Sequence, residues 1–459
     1  MTSPHDESTT PDPTGTEADT EASTGAGSTE ADETTAAPEP APLLTLRDGV
    51  PDVVDTPEGL AAACAALAAA TGPVALDAER ASGYRYSSRA YLIQLRRGDS
   101  GTWLVDPIAF GSHLPQLAEA LGDEEWILHA ASQDIPCLRE VGLEPVRLFD
   151  TELAGRLLGY PRVGLATLVE QILGLRMRKE HSAADWSTRP LPRSWLEYAA
   201  LDVEVLVELR DHMAAELVAQ GKDQWAREEF QHLTGFQPTV RAEPWRRTSG
   251  LNKLRGRRAL GAARALWQTR DEIARQRDVT PGRIIPDSAV IAAASAMPTD
   301  RNALLRTPGF HGRGADRYSS RWLAALDEVR TLPESQLPTR TQRGDGPPHP
   351  RTWADREPVA DRRFKAAREA TLALAEEHGL PVENLISPDH VRRAMWAPPA
   401  TRDPEQLAHD LAEQLASYGA RPWQVGLVRD ALVAAVLHGD EPVPDPEPET
   451  DPGAGPATA

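Results

Sequence analysis

Two carboxylates close the apolar run VALDAE at 74–79. Alternation along a strand puts Asp77 and Glu79 on one face, about 6.6 Å apart, with Val74 and Leu76 behind them. Such a pair can converge on one divalent cation, although acidic pairs at strand ends are common and this one alone carries little weight. A second acid follows in EWILHAASQDIPCLREVG (125–142), where an apolar run passes into an amphipathic helix. Asp134 falls in the first helical turn with Ser132 as the expected N-cap, and His129 closes the strand. An acid there can simply complement the helix dipole, and a histidine at a strand end can be a core residue. The third group lies in SWLEYAALDVEVLVELRDHM (194–213), a helix with Leu196, Ala200, Val203 and Val207 on its apolar side. Tyr198 and Asp202 are i and i+4 and share one face. A phenol beside a carboxylate can hold a water that a metal bound to the carboxylate activates.

Order along the chain makes these groups more than the sum of three weak signals. D-x-E on a strand, H-x4-D at a strand-to-helix turn and Y-x3-D on a later helix resemble the DEDD superfamily of 3′–5′ exonucleases, in its tyrosine-bearing subclass. YLIQL (91–95), LHAASQDIPCL (128–138), KEHSAADWSTRPLP (179–192) and EYAALDVEVL (197–206) narrow the resemblance to the ribonuclease D family, over about 55–215. The resemblance implies that Asp77, Glu79, Asp134 and Asp202 bind two divalent cations and that Tyr198 orients the attacking water. Hard oxygen ligands with open positions suit Mg²⁺ or Mn²⁺ rather than zinc. Four carboxylates packed together without cations would raise one another's pKa values. One position departs from the family pattern: Arg80 follows Glu79, where these sequences more often carry Phe or another apolar residue. Arg80 can pair with a substrate phosphate or face solvent; Trp186 and Arg189 are candidates for stacking and phosphate pairing, with a structural role for Trp186 the equal alternative, and His129 is a further candidate for the substrate.

The elements that must position these residues follow from periodicity. VALDAE, YLIQLRR (91–97), TWLVDP (102–107) and EWILHA (125–130) read as strands. Helical patterns occupy 57–70, 112–121, 133–141, 150–158, 164–174 and 194–219. Strands interleaved with helices predict a mixed α/β sheet with flanking helices over 42–240, and the family resemblance makes it RNase H-like. From 241 the pattern is helical throughout: 254–276, 287–295, 301–306 and 314–331, then 359–379, 388–396, 404–418 and 422–437. The segment 241–330 resembles an HRDC domain, the helical module shared by RecQ-type helicases and ribonuclease D, with TPGF (307–310) as its glycine-containing turn. The bundle 359–438 repeats the same helix order and resembles a diverged second HRDC-type module, or a packing domain. Between them 331–358 is Pro-rich and polar, an extended linker.

Charge is divided unevenly along the 459 residues, whose net charge is −20. Residues 1–41 hold ten acids and 439–459 six, with no Lys or Arg in either, so both ends are expected to be disordered acidic tails. Residues 241–330 carry 18 basic against 9 acidic side chains. A charge run is usually a solvated helix face; within an HRDC-like module it makes Arg255, Arg257, Arg258 and Arg313 candidate phosphate contacts.

Several classes are excluded. No run approaches the ~18 apolar residues of a membrane helix, and the N-terminus lacks the signature of a secretory signal. Two cysteines cannot build a disulfide framework or a thiolate zinc site, and there is no G-x-S-x-G, Walker loop or C-x-x-C. The expectation is a cytoplasmic, monomeric 3′–5′ exoribonuclease acting on RNA 3′ ends such as those of tRNA precursors. A DNA exonuclease acting on single-stranded DNA and a catalytically silent nucleic-acid-binding protein are the rival readings.

Overall fold

The structure is a computed structural model that describes residues 40–111, 113–178, 181, 183–340 and 346–441. The expected acidic tails at 1–41 and 439–459 lie almost entirely outside the described residues. Six strands build one mixed sheet: β1 (Val53–Val54), β2 (Val74–Arg80), β3 (Ala90–Arg97), β4 (Thr102–Val105), β5 (Glu125–Leu128) and β6 (Arg147–Asp150), in the order β1-β4-β3-β2-β5-β6. β2 is central, antiparallel to β3 and parallel to β5, so the strand bearing Asp77 and Glu79 is paired on both sides. A β-bulge between Glu79 and Arg80 ends that regular pairing. The sequence showed four of these strands; β1 has only two residues, and β6 runs directly into α4.

Around the sheet lie α1 (Pro57–Ala69), α2 (Pro115–Leu121), α3 (Ile135–Glu140), α4 (Thr151–Leu158), α5 (Leu165–Leu168, continued by a π-turn at Val169–Leu173), α6 (Arg193–Glu204), α7 (Leu206–Ala219) and α8 (Asp223–Thr234). α1 starts as its sequence dictates: the Thr56 hydroxyl accepts from the Gly59 N–H at 3.1 Å and Pro57 occupies the first turn. The expected single helix at 194–219 breaks at Val205 (φ −120°, ψ 8°). The break lies next to Glu204, which is 2% exposed and paired with Arg96 of β3 at 3.5 Å. α6 thereby stays over the sheet, while α7 packs against α4.

The remaining helices are α9 (Gly256–Arg277), α10 (Pro281–Ile284), α11 (Asp287–Ala296), α12 (Arg301–Leu305), α13 (Gly312–Arg317) and α14 (Ser319–Thr331), then α15 (Trp353–Arg356), α16 (Pro358–Glu377), α17 (Val382–Leu385), α18 (Pro388–Trp396), α19 (Pro404–Ser417) and α20 (Pro422–Asp440). α9–α14 enclose their own core around Leu266, Phe310 and Trp322. Gly309 in the TPGF turn has φ +83°, and a Cβ there would lie 2.8 Å from that of Ala289, so only glycine closes this turn. α16–α20 instead share one continuous core with the sheet domain. Gly159, at the end of α4, approaches so closely that a Cβ would stand 2.5 Å from the Gly379 carbonyl oxygen. Trp225 of α8 stacks on Trp423 at 4.9 Å, and Arg421 meets Glu229 at 2.7 Å. The Pro-rich stretch between the bundles is less free than its composition suggests, since Leu337 and Trp353 are buried. α20 runs on to Asp440, which pairs with Arg363 and Arg402, so the expected C-terminal tail begins later than 439.

The α9–α14 bundle is joined to the sheet at the β2–β3 loop. Ser87 N–H donates to Asp278 at 2.9 Å and the Tyr86 hydroxyl to Asp271 at 3.0 Å. Thr280 N–H donates to the Tyr84 carbonyl at 3.1 Å, and the Arg283 guanidinium lies 4.3 Å from the Tyr84 ring centre. That loop leaves β2 directly after Glu79 and Arg80.

Candidate active site

β2 and α6 bring carboxylates from distant parts of the chain into one cluster. Ligand oxygens of Asp77, Glu79 and Asp202 all lie within 4.8 Å of one another. Asp77 and Glu79 share a face through strand alternation, and α6, packed on that part of the sheet, supplies Asp202 with Tyr198 one turn away. The Tyr198 hydroxyl lies close enough to Asp202 to favour its charged form. An all-carboxylate donor set fits hard divalent ions such as Mg²⁺ or Mn²⁺.

Asp134 arrives by another route. A 3₁₀ turn (Ala131–Gln133) precedes α3, and Asp134 itself, rather than Ser132, occupies the N-cap position. Its carboxylate makes no capping bond. It lies 3.6 Å from the Arg80 guanidinium and close enough to Asp77 and Glu79 to shift their charges, though outside the tight trio. Arg80 also donates to Gln133 at 3.4 Å, so the residue that departs from the family pattern stands at the rim of the cluster.

The turn carrying Asp134 is shaped by a residue the sequence reading passed over. Asp150, 3% exposed, accepts backbone N–H groups from Ala130, Ala131, Glu152 and Leu153 at 2.8–3.1 Å. These bonds hold Ala130 at φ +60°, a left-handed conformation costly for alanine. The signal was present as D-T-E-L at 150–153, an N-cap pattern, but its second use at the 130 turn is a tertiary contact.

His129 lines a cavity of about 190 Å³ together with Asp77, Leu165, Tyr198, Asp202 and Leu206. His129 Nδ1 and the Thr151 hydroxyl share a hydrogen bond at 2.9 Å, and the Leu128 carbonyl lies 3.3 Å from the same hydroxyl. Burial pulls the imidazole down to about 4, against the opposing charge of Glu152, and the ring is neutral at pH 7. His129 keeps its place as a candidate substrate contact.

Four expected substrate contacts are instead structural. Trp186 is fully buried, its ring 5.4 Å from Trp195 and 6.4 Å from Tyr198, so it supports the tyrosine and offers no face to a base. Arg189 spends all five N–H donors: two on Asp106, one each on the carbonyls of Trp186, Thr188 and Tyr91. Arg257 donates to the Leu337 carbonyl, and Arg258 to the carbonyls of Val329, Arg330 and Leu332 where α14 ends. Arg255 and Arg313 are exposed and unpaired among the described residues.

The cluster is electrostatically costly without cations. Burial pushes the Asp77 carboxyl up to about 6 from the ordinary 3.8, and lifts Glu79, Asp134 and Asp202 well above their usual range, with neighbouring carboxylates adding to each of these three. The folded protein therefore keeps protons that the unfolded chain has released, and stability falls as pH rises from about 4 through 6 and beyond. Asp150, also pushed up to about 6 by burial, adds to the slope in the same direction. In EDTA the melting temperature is expected to be lower at pH 8 than at pH 5. Millimolar Mn²⁺ should raise it more at pH 8, because ligands bind metal deprotonated. A melting temperature independent of both pH and Mn²⁺ would refute this account of the cluster.

Comparison with known proteins agrees with the geometry. A 3′–5′ exonuclease family model matches residues 51–218, an HRDC domain model residues 259–326, and a model described as a 3′ to 5′ exonuclease C-terminal domain residues 346–436. The second bundle thus matches a model other than the HRDC one. A ribonuclease D of Acidiphilium cryptum is 33% identical over 298 residues, 63% of this chain and 74% of that protein. A solved protein from Bifidobacterium adolescentis is 38% identical with a TM-score of 0.78, covering 87% of this chain and 100% of that one. Escherichia coli RNase D, described as an exoribonuclease involved in structured RNA processing, is 26% identical with a TM-score of 0.57, covering 80% and 99%.

Proposed function

The chain belongs to the ribonuclease D family and is a metal-dependent 3′–5′ exoribonuclease, and from that premise we propose that it trims the 3′ ends of structured RNAs such as tRNA precursors, with Asp77, Glu79, Asp134 and Asp202 holding two divalent ions and Tyr198 orienting the attacking water. The observation that carries this reading is the convergence of three carboxylates from β2 and α6 within 4.8 Å, with Tyr198 lining the same cavity one turn from Asp202. When bound, the ions supply Lewis acidity for an in-line displacement at phosphorus, easing formation of hydroxide and departure of the 3′-oxygen. Burial and the surrounding carboxylates push the Tyr198 phenol above the ordinary tyrosine range. It stays a neutral hydroxyl, suited to fixing a water by hydrogen bonding and not to acting as a base. Arg80, beside Asp134, is placed to meet a non-bridging phosphate oxygen.

We assign catalysis to 42–240 and RNA capture to 241–330, with 331–358 as the connection and 359–438 as a second helical module that packs on the catalytic domain. No helix among the described residues is long and apolar enough to cross a membrane. A cytoplasmic monomer is the form we propose for the working enzyme.

The test is digestion of a 3′-extended tRNA by the full chain in Mg²⁺, beside a 3′-blocked control and a matched single-stranded DNA. Stepwise release of 5′-mononucleotides from the free 3′ end of RNA alone is expected. Equal turnover of DNA, or cleavage of the blocked RNA, would overturn the assignment. In the same assay an Arg255→Glu/Arg313→Glu protein should show a raised KM with kcat spared, as when uniform binding is removed. Its slope of log K against log salt should be shallower by about 1–2, because fewer counterions are released. An unchanged slope removes both arginines from the RNA path. Arg257 and Arg258 are unsuitable for this test, since reversing them strips bonds from the Leu337 carbonyl and from the end of α14.

A further inference from the structure

The motif YLIQL contains a polar residue to which no role has yet been given. Gln94 sits in the middle of β3, opposite Asp77 on β2 and Leu104 on β4, while Leu92 stands opposite Glu79. Directly opposed residues of an antiparallel pair share a face, with Cβ atoms about 4.5–5.5 Å apart. That face is the one α6 covers. Leu92 and Leu104 pack in one cluster with Leu196, Ala199 and Ala200, and Arg96 pairs with Glu204. Gln94 is 0% exposed there, and neither Oε1 nor Nε2 has a hydrogen-bond partner among the described residues. A sealed strand position flanked by two leucines would be filled at no polar cost by Leu or Met. A buried amide with both ends unpaired asks for a partner that the protein alone does not supply.

The geometry points to Gln94 as a positioning residue for Asp77: opposed to it but unbonded in the metal-free protein, its Nε2–H would donate to the Asp77 carboxylate once that group turns to hold an ion, and so fix its orientation. This rests on the reading of Asp77 as a metal ligand. A carboxylate that ligates through one oxygen leaves the other in need of a donor, and such outer partners orient ligands and tune their affinity. On β3 the Asp77 neighbour is the only amide, and its reach from a directly opposed position suits the task.

The experiment is calorimetric titration of the full-length protein with Mn²⁺, comparing wild type, Gln94→Met, Gln94→Leu and Asp77→Asn. Removing the amide is expected to weaken Mn²⁺ binding by roughly 10–100-fold. The metal-free melting temperature should stay level or rise, because an unpaired buried amide is gone. With a short RNA, kcat should fall at limiting Mn²⁺ and recover at high Mn²⁺, with KM unchanged. Wild-type Mn²⁺ affinity in either folded variant overturns the proposal, while loss of binding in Asp77→Asn keeps the metal reading intact. If Asp77→Asn binds as wild type does, the metal reading fails and this proposal falls with it. A metal-free protein that melts well below wild type in both variants makes the amide a packing group and also overturns it.

Discussion

An Asp77→Asn protein should fold, melt no lower than wild type in the absence of metal, and release almost no nucleotide. Asn keeps the shape of Asp and the β2 position stays paired on both sides. In the metal-free state the substitution removes a buried carboxylate crowded by Glu79 and Asp202, so stability at neutral pH is expected to rise. Catalysis responds in the opposite direction, because the amide lacks the charge that holds the cations. The expected loss is about 10³-fold or more in kcat, since metal-borne charge stabilisation is worth several kcal/mol in the transition state. The decisive pair of measurements is thermal melting in EDTA and nucleotide release in saturating Mg²⁺. Near-normal turnover by a well-folded variant would remove Asp77 from the site.

Tyr198→Phe separates positioning from metal binding. The ring should keep its packing, 6.4 Å from Trp186 and edge-on to His181 at 6.1 Å, because only the hydroxyl is lost. Asp202 loses the nearby hydroxyl but keeps its place beside Asp77 and Glu79. Mn²⁺ affinity should therefore change little, while kcat falls by roughly 10²–10⁴, the range for losing an oriented water and the proton handling that depends on it. Parallel loss of Mn²⁺ binding and rate would give the tyrosine a structural role in place of a catalytic one.

Asp77, Glu79, Tyr198 and Asp202 were legible because each pair sits on one regular element, where a period of 2 or 3.6 assigns both side chains to one face. The strands and helices that hold them were legible for the same reason, as was the all-helical half from 256 onward. Periodicity failed at the two-residue β1, at β6, which passes straight into α4, and at Val205, where a continuous helical pattern hides a break beside the buried Glu204.

What the tertiary structure decided is where each polar side chain spends its bonds. Trp186 and Arg189 were candidates for base stacking and phosphate pairing; folding buries the indole behind Tyr198 and saturates the guanidinium on Asp106 and three carbonyls. KLRGRR reads as a uniform basic run, yet Arg257 and Arg258 are tied to the chain near 329–337 while Arg255 is exposed. Asp150 and Gln94 gave no catalytic signal, because their significance lies in neighbours 20 and 17 positions away, Ala130 across the β5 turn and Asp77 across the ladder. Local sequence determines conformation and facing through sterics and hydrophobic period. A hydrogen bond or ion pair between distant residues depends on which surfaces the fold brings together, and no short window of sequence contains that information.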